Sequence, residues 1–151
     1  MFSEVQTNKA KPKKILEIGS YEGRSTCFII KSITWSNDVE IHSVDTWEGG
    51  VEHTDAGVTM RDVENRFDRN IENCISQSKL KVDFKKHKGA SDEILPFLIA
   101  SGKKSYFDFI YIDGSHQAPD VLLDSVMAFK LTKVGGIIGF DDYTWFRPKE
   151  Y

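Results

Sequence analysis

Five short apolar runs, each ending close to an acidic residue or a glycine, constrain this chain more than any other feature. Ile15-Leu16-Glu17-Ile18, Glu40 to Val44, Lys81 to His87, Phe107 to Ile112 and Ile137 to Phe140 read as strands. Their ends fall at Gly19, Asp45, Lys88-Gly89, Asp113 and Asp141-Asp142. The segments between them change to helical period. Cys27, Ile30 and Ile33 recur at helical spacing until Ser36-Asn37-Asp38, and Met60, Val63, Phe67, Ile71 and Ile75 mark one apolar face from Met60 to Ser76. Ser91 to Ala100 reads as a helix with Ser91 as N-cap, and Gln117 to Leu131 as a further helix that leads through Lys133-Val134-Gly135-Gly136 into the last strand. Trp47 to Thr59 has no clear period and is expected to be a loop.

Strands that alternate with helices predict an α/β chain with a doubly wound, Rossmann-like parallel sheet of five strands, because right-handed crossovers place the helices on both faces. The 151 residues, 40% of them hydrophobic, suffice for one domain that buries roughly 70% of its unfolded surface. Residues 1–13 form a polar lead-in and 14–151 the domain. Twenty Lys and Arg against 23 Asp and Glu give a net charge of −3, without the basic excess of a general polyanion binder, so nucleic acid is not an expected partner. No apolar run reaches the roughly 20 residues that span a bilayer, and the start of the chain is polar, so the expectation is a soluble, cytoplasmic protein without a membrane partner. Cys27 and Cys74 form no CxxC pair and read as reduced helix residues.

In open parallel sheets, ligands lie beyond the carboxyl ends of the strands, where strand order reverses. Asp and Gly often just terminate strands. Acids at or near four of five strand ends ask for more, because gathered carboxylates repel unless a cation or a donor-rich ligand offsets them. Gly19-Ser20-Tyr21-Glu22-Gly23 follows a strand and opens a helix, the setting in which a glycine-rich turn lets a ligand approach the backbone. Its GxxxG spacing is neither the GxGxxG of a dinucleotide site nor a phosphate loop, and a plain turn accounts for it equally well. Asp45 follows at about the distance where Rossmann-type folds place an acid on ribose hydroxyls. Trp47 either packs on a ligand or shields a strand end.

Taken together, ILEIGSYEGRST, SVDTW, KGASDEILPFL, FDFIYIDGSH and LTKVGGIIGFDDYTW resemble class I S-adenosylmethionine-dependent methyltransferases. The closer resemblance is to metal-dependent O-methyltransferases of catechols and antibiotic sugars, and it runs in order from Lys14 to Trp145. It implies that Glu17, Gly19, Ser20, Tyr21, Gly23 and Ser25 serve the methionine end of S-adenosylmethionine, that Asp45 takes the ribose and that Ser91 and Asp92 border the adenine. It further implies a Mg²⁺ or similar divalent site at Asp113, Asp141 and Asp142, with Asp113 also beside the cofactor and His116 as the base that deprotonates a small-molecule hydroxyl. Carboxylates suit Mg²⁺ as hard oxygen donors, and an imidazole titrates near neutrality. A homo-oligomer is a further expectation.

In the family the strand at Ile137 to Phe140 is followed by another helix and an antiparallel hairpin, absent from this chain, which implies a C-terminally shortened domain. Two rival readings keep the fold: a non-catalytic nucleoside-binding module, and an NAD-dependent dehydrogenase that lacks the usual GxGxxG.

Overall fold

The computed structural model describes residues 13–32, 38–50, 57 and 59–141. The central strand β1 (Lys14–Ile18) is flanked by β2 (Val39–Asp45) and β4 (Phe107–Ile112), and β3 (Val82–Lys88) and β5 (Thr132–Phe140) form the edges. The order is β3-β2-β1-β4-β5, and every pairing is parallel. The chain steps outward from β1 to β3, then returns across β1 to β4, so strand order reverses between β1 and β4. A crevice must open above that point, because the loops leaving β1 and β4 diverge to opposite faces.

Each face carries its own apolar layer. Ile15, Ile41, Phe109 and Tyr111 point to the face covered by α1 (Arg24–Ser32) and α2 (Val63–Ser76). Leu16, Ile18, Val44, Ile110 and Ile112 point to the face covered by α3 (Ser91–Leu98) and α4 (Ala118–Leu131). This alternation is why β1 and β4 read as continuous apolar runs: strands buried on both faces need apolar residues at every position. β3, an edge strand, instead alternates half-buried with exposed residues along most of its length. A third cluster of Trp47, Val63, Phe67 and Ile71 lies under α2, with the rings of Trp47 and Phe67 centred 4.8 Å apart.

The expected strands and helices are present, with corrections at several ends. α2 begins at Val63 rather than Met60, because Asp62 has a left-handed backbone (φ 62°) that no helical turn accommodates. Met60 instead covers Gly49. Ala90, not Ser91, is the N-cap of α3. α3 stops at Leu98, short of Ala100, and passes into a wide π-type turn over Ile99–Lys103. β5 starts at Thr132, so the expected Lys133–Gly136 linker lies within the strand and produces the register shift between Phe107 and Phe109. The lead-in up to residue 12, the helix end expected at Ile33 to Asn37, most of the loop expected between Trp47 and Thr59 (residues 51–56 and 58) and everything from residue 142 onward lie outside the described residues.

Candidate cofactor and active site

Gly19 ends β1 with φ +83°, and a Cβ there would stand 2.0 Å from the backbone oxygen of Asp113. Only glycine lets the loop after β1 lie against the end of β4 so closely. Gly23 closes the same loop with φ +83°; its missing side chain makes room for Ile71 and Phe67 of α2. The loop is thus pinned on one side to β4 and on the other to α2.

Asp45 pins it from a third side. Its Oδ2 accepts hydrogen bonds from the backbone N–H groups of Ser20 (2.7 Å) and Tyr21 (2.8 Å), and its Oδ1 accepts one from Trp47 N–H (2.7 Å). Trp47 in turn donates from Nε1 to the Tyr21 carbonyl at 2.9 Å. Tyr21 and Trp47 both hold positive φ, 46° and 55°, a strained backbone kept in place by these bonds. Trp47 is 4% exposed and packs on Phe67, so it shields the strand end rather than facing the crevice.

Beneath the loop Glu17 is fully buried. Its Oε2 accepts from the hydroxyls of Thr26, Ser20 (3.0 Å) and Ser43 (3.2 Å), while Oε1 has no partner among the described residues. Burial pushes its carboxyl above the ordinary carboxylate range, and the hydroxyls pull only part of the way back. Glu17 therefore supports the loop from below and is not among the residues that line the crevice.

The crevice itself is a cavity of about 1160 Å³ above the β1/β4 switch. It brings together Gly19, Ser20, Tyr21, Ser25, Asp45, Ser91, Asp92, Asp113 and Asp141 of the residues singled out from sequence. Gly23 is buried against α2 instead, and His116 sits on the loop after β4 whose neighbours Ser115 and Gln117 line the cavity while its own side chain is not part of the wall. Asp142 lies outside the described residues. The described lining residues include six acids (Glu22, Asp45, Asp92, Asp113, Asp120 and Asp141) and one basic residue, Arg24, with Glu22 paired to Arg66 outside the cavity at 2.8 Å. Such a field favours a cationic ligand and opposes a polyanionic one.

Two lining residues carry chemistry that sequence reasoning missed. Ser115 donates to Asp120 at 2.7 Å and accepts from Gln117 N–H at 3.1 Å, which fixes the loop between Asp113 and α4. Tyr111, 4% exposed, stands where the charges of Asp113 and Asp141 both act on its phenol. Burial, together with the charges of Asp113 and Asp141, holds that phenol well above the ordinary tyrosine range, so it stays a donor. From sequence Tyr111 is legible only as an apolar strand residue; its strand register against β5, which sequence does not give, is the missing signal. Among the described residues no three His, Cys, Asp or Glu side chains are grouped so as to hold a metal ion.

Comparison with known proteins agrees with this architecture. A 65-residue segment, 43% of the chain, is 38% identical to caffeoyl-CoA O-methyltransferase 1 of Eucalyptus globulus and equally to caffeoyl-CoA O-methyltransferase of Eucalyptus gunnii. The matched segment covers 25% and 24% of those enzymes. The O-methyltransferase TomG of Streptomyces achromogenes, solved with SAM, superposes at a TM-score of 0.61 with 22% identity over 85% of the chain and 48% of TomG. An O-methyltransferase of Bacillus cereus, solved with SAH, gives 0.53 and 23%, again over 85% of the chain and 48% of that enzyme. The chain thus spans about half the length of these solved structures, and at such identities the likeness is one of fold. A family model described as a methyltransferase domain matches residues 16–143, and the chain belongs to that family.

Proposed function

We propose that the cavity binds S-adenosylmethionine and that the protein transfers its methyl group to the hydroxyl of a small molecule. The observation that carries this reading is the charge of the cavity: six lining carboxylates against Arg24 suit a sulfonium and an ammonium, and repel the pyrophosphate of a dinucleotide. The dehydrogenase alternative loses its footing on the same ground. Gly19, Ser20, Tyr21 and Ser25 would hold the methionine end, with Glu17 and Gly23 acting on it only through the loop. Asp45, whose two oxygens retain lone pairs beyond the three backbone bonds, would accept from the ribose hydroxyls, and Ser91 and Asp92 would border the adenine.

Two acids at adjacent strand ends support extending the reading to a divalent cation, while the described residues alone form no complete ligand group. Asp113 and Asp141 end adjacent strands, Asp141 N–H bonds the Ile112 carbonyl at 2.9 Å, and both charges act on the same Tyr111 phenol. Hard carboxylate oxygens with room for water suit Mg²⁺, which keeps several waters of its own. Asp113 and Asp141, with Asp142, would hold it, and it would stabilise negative charge on the acceptor oxygen. When bound, S-adenosylmethionine would supply an electrophilic methyl group to the acceptor oxygen and leave as the thioether. His116, on the loop between the lining residues Ser115 and Gln117, would take the hydroxyl proton, and the loop after β1 would align the methyl donor.

His116→Ala tests this assignment: the expected loss is about 10²–10⁴ in kcat with S-adenosylhomocysteine affinity nearly unchanged, measured by methyl transfer to a panel of hydroxylated acceptors. Retention of kcat across neutral pH would move the proton elsewhere. Self-association, a further proposal, is supported by Leu122, Val126 and Phe129, which stand 66%, 48% and 77% exposed on one side of α4; sedimentation velocity checks it.

A further inference from the structure

Gly49 has φ +84°, and a Cβ placed on it would stand 2.8 Å from Cγ, 2.9 Å from Sδ and 3.2 Å from Cε of Met60. The end of the methionine side chain thus lies across Gly49, in space that only a residue without a side chain leaves open. Met60 is held there from behind. It packs against the cluster of Trp47, Val63, Phe67 and Ile71, and its carbonyl accepts from Val63 N–H at 3.2 Å, where α2 begins. Met60 and Gly49 both line the cavity, on the same side as Asp45. Among the described lining residues that follow β2 and β3, the others are glycines, Ala90 and the polar Thr46, Ser91 and Asp92. Met60 gives that wall its one long apolar side chain.

We infer that Met60 is the surface on which the base of the cofactor lies, and that Gly49 is the residue that lets it lie there. The inference rests on the proposed cofactor reading of the cavity. A purine needs polar partners at its edges and apolar cover on its faces; Ser91 and Asp92 offer the first, and Met60 the second. An unbranched thioether adapts its shape to a flat ring, and its polarisable sulfur gains from contact with one. Gly49→Ala would put a methyl group into the thioether and displace it, leaving Asp45, Ser91 and Asp92 unaltered. Met60→Leu keeps the volume and the apolar character; Met60→Ala removes the wall.

The test titrates S-adenosylhomocysteine by calorimetry into wild type, Met60→Leu, Met60→Ala and Gly49→Ala, with thermal unfolding of each protein alone as the check on folding. In parallel, the chain is labelled with ¹³C at its methionine methyl groups, of which there are three, and Met60→Leu assigns the Met60 signal. The expected result is an upfield ring-current shift of the Met60 methyl on binding, with nuclear Overhauser contacts to the protons of the base. Affinity should fall roughly tenfold in Met60→Ala and Gly49→Ala and stay within about threefold of wild type in Met60→Leu. Binding by wild type with the Met60 methyl unshifted, or with folded Met60→Ala as tight as wild type, would overturn the role of Met60 and leave the cofactor reading standing. No binding by wild type would overturn both. Where an alanine variant fails to fold, the methyl shift in wild type decides.

Discussion

Asp45 shows how one side chain ties sequence to function. A single carboxylate takes three backbone N–H bonds of 2.7–2.8 Å from the loop and from Trp47, and so holds two residues of positive φ in place. Charge-assisted bonds of this kind are about twice as strong as neutral ones. Asp45→Ala removes them and removes the proposed acceptor for the ribose. Its S-adenosylhomocysteine affinity is expected to fall by about 1.5–3 kcal/mol, with a lower melting temperature as the loop loosens. Calorimetry and thermal unfolding on the same sample check both effects. Glu17 teaches the complementary lesson: an acid near a strand end is expected from sequence to meet a ligand, and its place on the inward side of β1 puts it under the hydroxyls of Ser20, Thr26 and Ser43.

Among the elements, the β2–β3 pair carries a half-buried titratable contact. His42 Nδ1 and His87 Nε2 are 2.8 Å apart, a distance that requires one shared proton, and His42 Nε2 meets Glu40 at 2.7 Å. Burial lowers both imidazoles, His87 to about 4, and the charge of Lys103 adds to the effect on each. Unfolded imidazoles take up protons from about pH 6.5. Because the folded values are depressed, the stability they contribute is present above that pH and is lost as pH falls toward about 4. Glu17 and Asp124, both raised, work in the opposite direction, so the comparison must be made against a variant. The melting temperature of His87→Gln is expected to fall less steeply than wild type between pH 6.5 and 4; parallel curves would contradict the account.

α2 offers a packing counterpart. Phe67 is fully buried against Trp47 and Phe84, with ring centres at 4.8 and 6.0 Å, and joins the loop region to β3. Phe67→Ala is expected to cost about 3–5 kcal/mol in urea unfolding, as a cavity opens that its neighbours fill only in part. The apolar stripe that marks this helix is plain in the sequence. Its first turn is not: Met60 keeps helical spacing with Val63, but the left-handed Asp62 between them overrides the periodicity. Periodicity reports which face is buried; ends depend on one residue's backbone, as at Asp62 and Ala90.

At the scale of the whole molecule, the alternation of strand and helix and the acids at strand ends make the parallel sheet and its ligand edge legible, since both follow from burial on two faces. What chain order does not give is lateral placement. The return from β3 to β4 across β1 sets Asp113 beside Gly19 and Tyr111 beside Asp141, and these neighbours are remote in sequence. The central claim is that this switch-point cavity, with its six carboxylates, is a site for a cationic nucleoside cofactor. Calorimetric titration of S-adenosylhomocysteine and of NAD into the chain tests it most directly. The account predicts one S-adenosylhomocysteine bound per chain and no heat with NAD; heat with NAD alone, or with neither, would contradict it.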